Sequence, residues 1–180
     1  MRVAINCLKF DPAFVGGLNT YVRGLLEGFA NTANGHQFRL YATTGNQGLF
    51  EPFRHRKNFE VIVLDKWTQS LRKTICRTAL FSFSEKVYEW TTNLVFRELR
   101  ELMDQDADIV YTPSTVLLYF DSQKPTVLSM HDIQHEHFPE FFIWPRLLSR
   151  RTNHSLSARH ANFFRTRGLF SARCNVVEKL

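Results

Sequence analysis

Five short apolar runs divide the chain, and they limit what it can fold into. RVAIN (2–6), HQFRLYAT (36–43), FEVIVLD (59–65), DADIVYTP (106–113) and KPTVLSMHD (124–132) have the length and the β-branched or aromatic content of strands. Helical segments lie between several of them. In LNTYVRGLLEGFANT (18–32), residues Leu18, Val22, Leu25, Leu26 and Phe29 recur at helical spacing. From Trp67 to Met103 the pattern predicts two helices, of which VYEWTTNLVFRELRELM is the clearer. RLLSRRTNHSLSARH (146–160), after Pro145, predicts one more. A Gly-rich, polar loop is expected between the second and third strands.

Strands that alternate with helices need crossover connections, so the sheet is expected to be mainly parallel with helices on both faces. Right-handed crossovers then give a three-layer, doubly wound, Rossmann-like α/β domain. No internal repeat or low-complexity linker interrupts it. One domain is expected over 1–162, with a divergent tail over 163–180 where the apolar strand pattern is lost after Phe164. Ligands of such sheets sit beyond the carboxyl ends of the strands. Three segments reach that edge: the Gly16–Gly17 loop after the first strand, Thr112-Pro113-Ser114 after the fourth, and His131-Asp132 after the fifth.

Charge narrows the partners. The net charge is +6, and seven arginines but no carboxylate fall between Arg146 and Arg173. Such a stretch is either a solvated face or a surface that attracts an anionic membrane or phosphorylated ligands. No zinc-finger spacing and no aromatic-basic interleaving of the RNA-recognition type is present, so a nucleic-acid partner is not expected. Cys7, Cys76 and Cys174 are far apart and odd in number, which disfavours a disulfide framework or a thiolate metal site and favours a reducing compartment. MRVAINCLKF lacks the apolar core of a signal peptide, and no apolar run approaches the length of a membrane span. A cytoplasmic chain is expected, with the inner face of the membrane as a candidate place of peripheral contact. The 17 phenylalanines are a heavy load, expected mostly in the core with some left for an interface.

Two segments carry candidate chemistry. Gly16 and Gly17 stand directly before a predicted helix, where backbone N–H groups and the helix dipole favour an anion. Neither the dinucleotide fingerprint nor the phosphate-loop lysine accompanies them, and a plain turn is an equal reading. In VLSMHDIQHEHFPEFF (127–142), His131, His135 and His137 could hold a metal for a hydrolase, or the last two could be structural. Ser114 is a conceivable nucleophile, although no G-x-S-x-G elbow surrounds it. His131 and Asp132 differ from the later histidines because they lie where the fifth strand ends, within reach of the crevice.

Three segments also share an order and spacing with a known family. MRVAINCLKF opens a strand at once, GGLNTYVRGLLEGFA is similar to a G-G-x-x-x-[YF]-x-x-x-L-x-x-x-L-A loop and helix, and PTVLSMHDIQHEHFPEFF ends a strand in His-Asp before a proline-containing loop. Together, from residue 1 to about 162, they resemble the N-terminal half of a GT-B glycosyltransferase of the retaining GT4 family, the glycogen synthase and mannosyltransferase type. The resemblance implies that Gly16 and Gly17 lie against the donor's diphosphate and the incoming acceptor. It implies that His131 contacts the transferred sugar and that Asp132 orients the same loop. The donor substrate would be a nucleotide-diphosphate sugar, transferred with retention and without an obligatory metal or other cofactor. The acceptor is unspecified.

Departures from the family qualify what is expected of these 180 residues. The family's second Rossmann-like domain carries two glutamates eight positions apart, and no two glutamates here have that separation. The likeness runs through SARHAN (157–162) and then stops. The expectation is an acceptor-side domain, truncated relative to the family and without its donor domain, with little or no transferase activity alone. The alternative is a non-catalytic module that recruits a separately encoded donor-domain partner.

Overall fold

A computed structural model describes residues 1–13, 17–32, 35–64, 66–81, 84–131, 133–166 and 169–172. The strands are β1 (Arg2–Asn6), β2 (Gln37–Thr43), β3 (Phe59–Leu64), β4 (Ile109–Thr112) and β5 (Thr126–Ser129), followed by β6 (Phe163–Thr166) and β7 (Leu169–Ala172). They form one sheet in the order β3-β2-β1-β4-β5-β6-β7. The five strands from β3 to β5 are parallel throughout, β6 continues that direction beside β5, and β7 turns back antiparallel. This is the expected Rossmann-like α/β domain. Its order reverses beside β1, because β2 and β3 extend to one side and β4 and β5 to the other.

Parallel strands covered on both faces read as near-continuous apolar runs, since both sets of alternating side chains are buried. On β1, Val3 and Ile5 join the core under helix α1 (Gly17–Thr32), whereas Ala4 joins the opposite core. Helix α1 buries Val22 and Leu26, one turn apart, against Phe38, Leu40 and Ala42 of β2. Four helices cover the other face: α3 (Lys66–Leu80), α4 (Glu85–Val95), α5 (Arg97–Gln105) and α7 (Trp144–His160). They contribute Leu80, Tyr88, Met103 and Leu156 to that core. Part of the phenylalanine load is a run of rings on the α1 side. Phe29 stacks on Phe38 with centroids 5.0 Å apart, Phe38 on Phe59 at 4.9 Å, and Phe53 meets Phe59 at 5.4 Å.

Two local expectations are corrected. The segment from Trp67 to Met103 contains three helices rather than two, because the chain leaves helical geometry at Phe96 (φ −100°, ψ 13°), which drives that side chain into the core. Ser84 caps α4 by accepting from the Val87 amide at 3.3 Å. The polar loop after β2 is instead a 3-10 turn, Gln47–Phe50, running into the short helix α2 (Glu51–Arg54), and together they bury Phe50 and Phe53. The stretch after Phe164 pairs as strands β6 and β7, with Phe163 opposite Val127 of β5.

Buried Asn46 ties this arrangement together. Its side-chain amide donates to the Cys7 carbonyl at 2.9 Å and the Phe10 carbonyl at 2.8 Å, and its oxygen accepts from the Thr43 amide at 2.8 Å. One side chain thus fixes the loop after β1 to the end of β2. Asn46→Asp would replace both donors with carboxylate oxygen facing two carbonyls. Loss of about 2–4 kcal/mol is expected in urea unfolding, since buried groups left unsatisfied each cost about 1–3 kcal/mol. A change under about 0.5 kcal/mol, the ordinary surface value, would show that the link is not structural.

Candidate functional site

The strand order reverses between β1 and β4, and in sheets of this kind such a reversal is where a crevice at the carboxyl edge is expected. Residues 7–13 leave β1 there, and Asp11 accepts from the Ala13 amide at 2.9 Å while its carbonyl accepts from the Asn19 side chain at the same distance. The loop is thereby fastened to the first turn of α1. Gly17 begins that helix, is exposed, and has no atom within 4 Å of where a side chain would start. Gly16 lies outside the described residues.

One turn after Gly17 stands Tyr21, and here distant segments converge. Its hydroxyl lies 3.2 Å from that of Tyr111 on β4 and 3.3 Å from that of Ser129 on β5, while those two are 2.7 Å apart. Three hydroxyls in a triangle can each donate once and accept once, so the set satisfies itself in a largely dry place. The ring of Tyr21 meets the His131 imidazole edge-on, with centroids 4.5 Å apart. His131 is exposed just past β5. His131 thus meets the residue one turn along the helix that Gly17 begins. Asp132 lies outside the described residues.

The other histidines of the segment go elsewhere. His135 lies on the short helix α6 (Gln134–His137), is buried, and its ring meets that of His154 on α7 at 4.4 Å, nearly perpendicular. His137 is exposed at the end of α6, beside Phe138. Among the described residues no group of three His, Cys, Asp or Glu side chains is placed to hold a metal ion. The Ser114 hydroxyl is buried and donates to the Val116 carbonyl at 3.2 Å. Cys7 is fully buried at the end of β1, and burial pushes its thiol far above the usual range, so it is no nucleophile.

Two hollows flank this edge. One, of about 380 Å³, lies between α1 and the turn after β2, with Phe10, Asn19, Arg23 and Pro52 in its wall. The other, of about 340 Å³, lies on the opposite face among α3, α4, α7 and the segment after β4. Helix α7 is held against α4 by a hydrogen bond from the Tyr88 hydroxyl to the Asn153 side chain at 2.7 Å, by Arg159 on Glu85, and by His160 on Glu89 at 3.1 Å. The Leu117 amide donates to Ser157 of α7 at 2.9 Å and closes the floor. Sequence reading pointed to neither Tyr21 as the link nor Lys9, Arg77 and Arg150 as neighbours. The tyrosine position of the loop-and-helix pattern was the only signal for the first.

No family model matches the chain, and no curated protein matches it. No helix among the described residues is long and apolar enough to cross a membrane.

The Tyr21–His131 contact has a spectroscopic consequence. Tyr21→Leu removes the ring that shields the imidazole, so the His131 ring-proton resonances should move toward those of free histidine, whereas Tyr21→Phe should leave them nearly in place. Unmoved resonances in Tyr21→Leu would mean that the two rings do not meet.

Proposed function

We propose that these residues form the acceptor-side domain of a two-domain retaining glycosyltransferase, which transfers a sugar from a nucleotide-diphosphate sugar to an acceptor hydroxyl. The observation that carries this reading is the seating of exposed His131 on Tyr21, one turn from the start of α1. An anionic diphosphate is favoured near a helix N-terminus, where unpaired N–H groups and the dipole add. A sugar beside it would place its hydroxyls near the imidazole. The transition state of glycosyl transfer has oxocarbenium character, and groups that bond to the sugar or to the leaving phosphate in that state do most of the work. In this reading His131 supplies such a bond, Asp132 holds its loop, and Gly16 and Gly17 let the phosphates approach the backbone.

Only half of the donor's contacts would come from this domain. A second reading makes the chain a non-catalytic module that docks a separately encoded donor subunit. It is favoured by the exposed Phe138, Phe141, Ile143 and Trp144 beyond β5, an apolar cluster of the kind that marks an interface. The arginines of α7 beside it suit peripheral contact with an anionic membrane.

One assay bears on both readings. The purified 180 residues, given a panel of nucleotide sugars, are expected to turn over at background. With a donor-side domain supplied in trans, transfer should appear, and His131→Ala should lower kcat/KM by about a hundredfold or more, the usual cost of losing one transition-state hydrogen bond. Robust turnover by the chain alone contradicts the half-site, and undiminished transfer in His131→Ala leaves only the docking module.

A further inference from the structure

We propose that the outer face of the α3–α4 hairpin docks the protein on an anionic lipid surface. A helix that packs one side on a core ordinarily turns polar residues to solvent. Helix α4 does otherwise. Tyr88 and Thr92 are buried, while Val87, Trp90 and Leu94, which share one stripe at spacings of three and four residues, are exposed. Helix α3 repeats the pattern, with Cys76 and Leu80 buried and Leu71 and Ile75, four apart, exposed. Exposure of these five side chains runs from 42% for Ile75 to 67% for Trp90.

The two stripes belong to one surface. Helices α3 and α4 are joined by residues 81–84 and pack along each other. The Thr92 side chain of α4 reaches the Cys76 thiol of α3, which sets an antiparallel register. Ile75 lies five residues before the end of α3 and Trp90 five after the start of α4, so they stand at one level. Leu71 and Leu94, each nine residues from the same ends, stand at the next. Apolar side chains gathered outward in this way mark a contact surface. None of the five lines either hollow described above, so the patch offers a surface to lie on rather than a pocket.

Charge identifies what covers it. Helix α3 carries Lys66, Arg72, Lys73 and Arg77 and no carboxylate, and α4 adds Lys86. Arg77 and Lys86 are exposed. The two carboxylates of α4 are turned to α7 instead: Glu85 contacts Arg159, and Glu89 lies 3.1 Å from His160. A basic helix with an apolar stripe is the pattern that rests in the interface of an anionic bilayer, its apolar side just below the headgroups. Tryptophan favours the same level, because its ring is apolar and its N–H polar. No helix among the described residues is long and apolar enough to cross the bilayer, so the contact is one of lying on it.

This docking goes beyond the proposed transfer reaction, since it needs neither donor nor acceptor. Flotation with vesicles of phosphatidylglycerol, with phosphatidylcholine as control, tests it. The chain is expected to float with the anionic vesicles at low salt, to be released as salt rises, and to stay behind with phosphatidylcholine. Trp90→Ala and Leu94→Asn should each weaken the partition about tenfold or more, the scale of withdrawing one large apolar side chain. Arg77→Gln and Lys86→Gln should each weaken it about fivefold, the scale of one cation near such a surface. Trp144→Ala, at an exposed tryptophan of α7, should change nothing. All five positions are exposed, and circular dichroism confirms that each variant is folded.

Flotation that survives Trp90→Ala and Leu94→Asn overturns the hairpin as the docking face. Loss in Trp144→Ala instead moves the contact to α7 and overturns it equally. Equal binding to both lipids overturns the part given to charge. No flotation with either lipid overturns the bilayer as occupant, and self-association that Trp90→Ala abolishes would then assign the face to a second copy. A chain that floats but supports no transfer in trans overturns the transferase alone, and transfer without flotation overturns the docking alone.

Discussion

All five strands from β3 to β5 run the same way, and this shared direction governs everything else in the molecule. It sends each strand's following segment to one edge, and the reversal beside β1 marks where a crevice between two of those segments is expected. The opposite edge collects acids and cations that neutralise each other. Arg2 lies near Asp106 and Asp108, and Arg39 contacts Asp106 and Glu60. These pairs hold the amino edge together. A sheet with mixed directions would have divided these groups between both ends.

Small polar contacts convert that topology into a defined site. Asn46 fixes the loop after β1, Asp11 joins it to α1, and the triangle of Tyr21, Tyr111 and Ser129 locks α1 to β4 and β5. Hydrogen bonds like these contribute little each, about 1 kcal/mol net, but they leave the groups few alternatives because unmade bonds in the interior cost more. Tyr21 has two functions in this scheme. Its hydroxyl joins the polar triangle, and its ring packs against an imidazole that faces solvent. Sites built on strands and helices hold such geometry better than sites on loops alone.

Much of the sheet was legible because parallel strands write their burial into composition. RVAIN and FEVIVLD have the strand length and β-branched content of such buried strands. The break at Phe96 was not legible, since apolar residues keep helical phase across it and only the turn geometry reveals two helices. The helical turns at 47–54 were hidden by Gly48 and Pro52, which signal a loop, although Pro52 sits comfortably in the first turn of a helix. Strands β6 and β7 depend on a tertiary partner, β5, rather than on local pattern. For the site, His131 stood out because it follows a strand end, and Gly17 because it precedes a helix. The contact of His131 with Tyr21 of α1, and the hollow that Lys9 and Arg150 both line, exist only once the chain is folded.

The proposed function requires that the start of α1 and the end of β5 form one sugar-nucleotide surface on the carboxyl edge. Two-dimensional NMR of the isotopically labelled chain, titrated with a nucleotide-diphosphate sugar, examines it most directly. Saturable shifts gathered at Gly17–Tyr21 and Met130–His131, small or absent along the amino edge, are the expected result. Saturable shifts confined to other surfaces, or none at any attainable concentration, would contradict it.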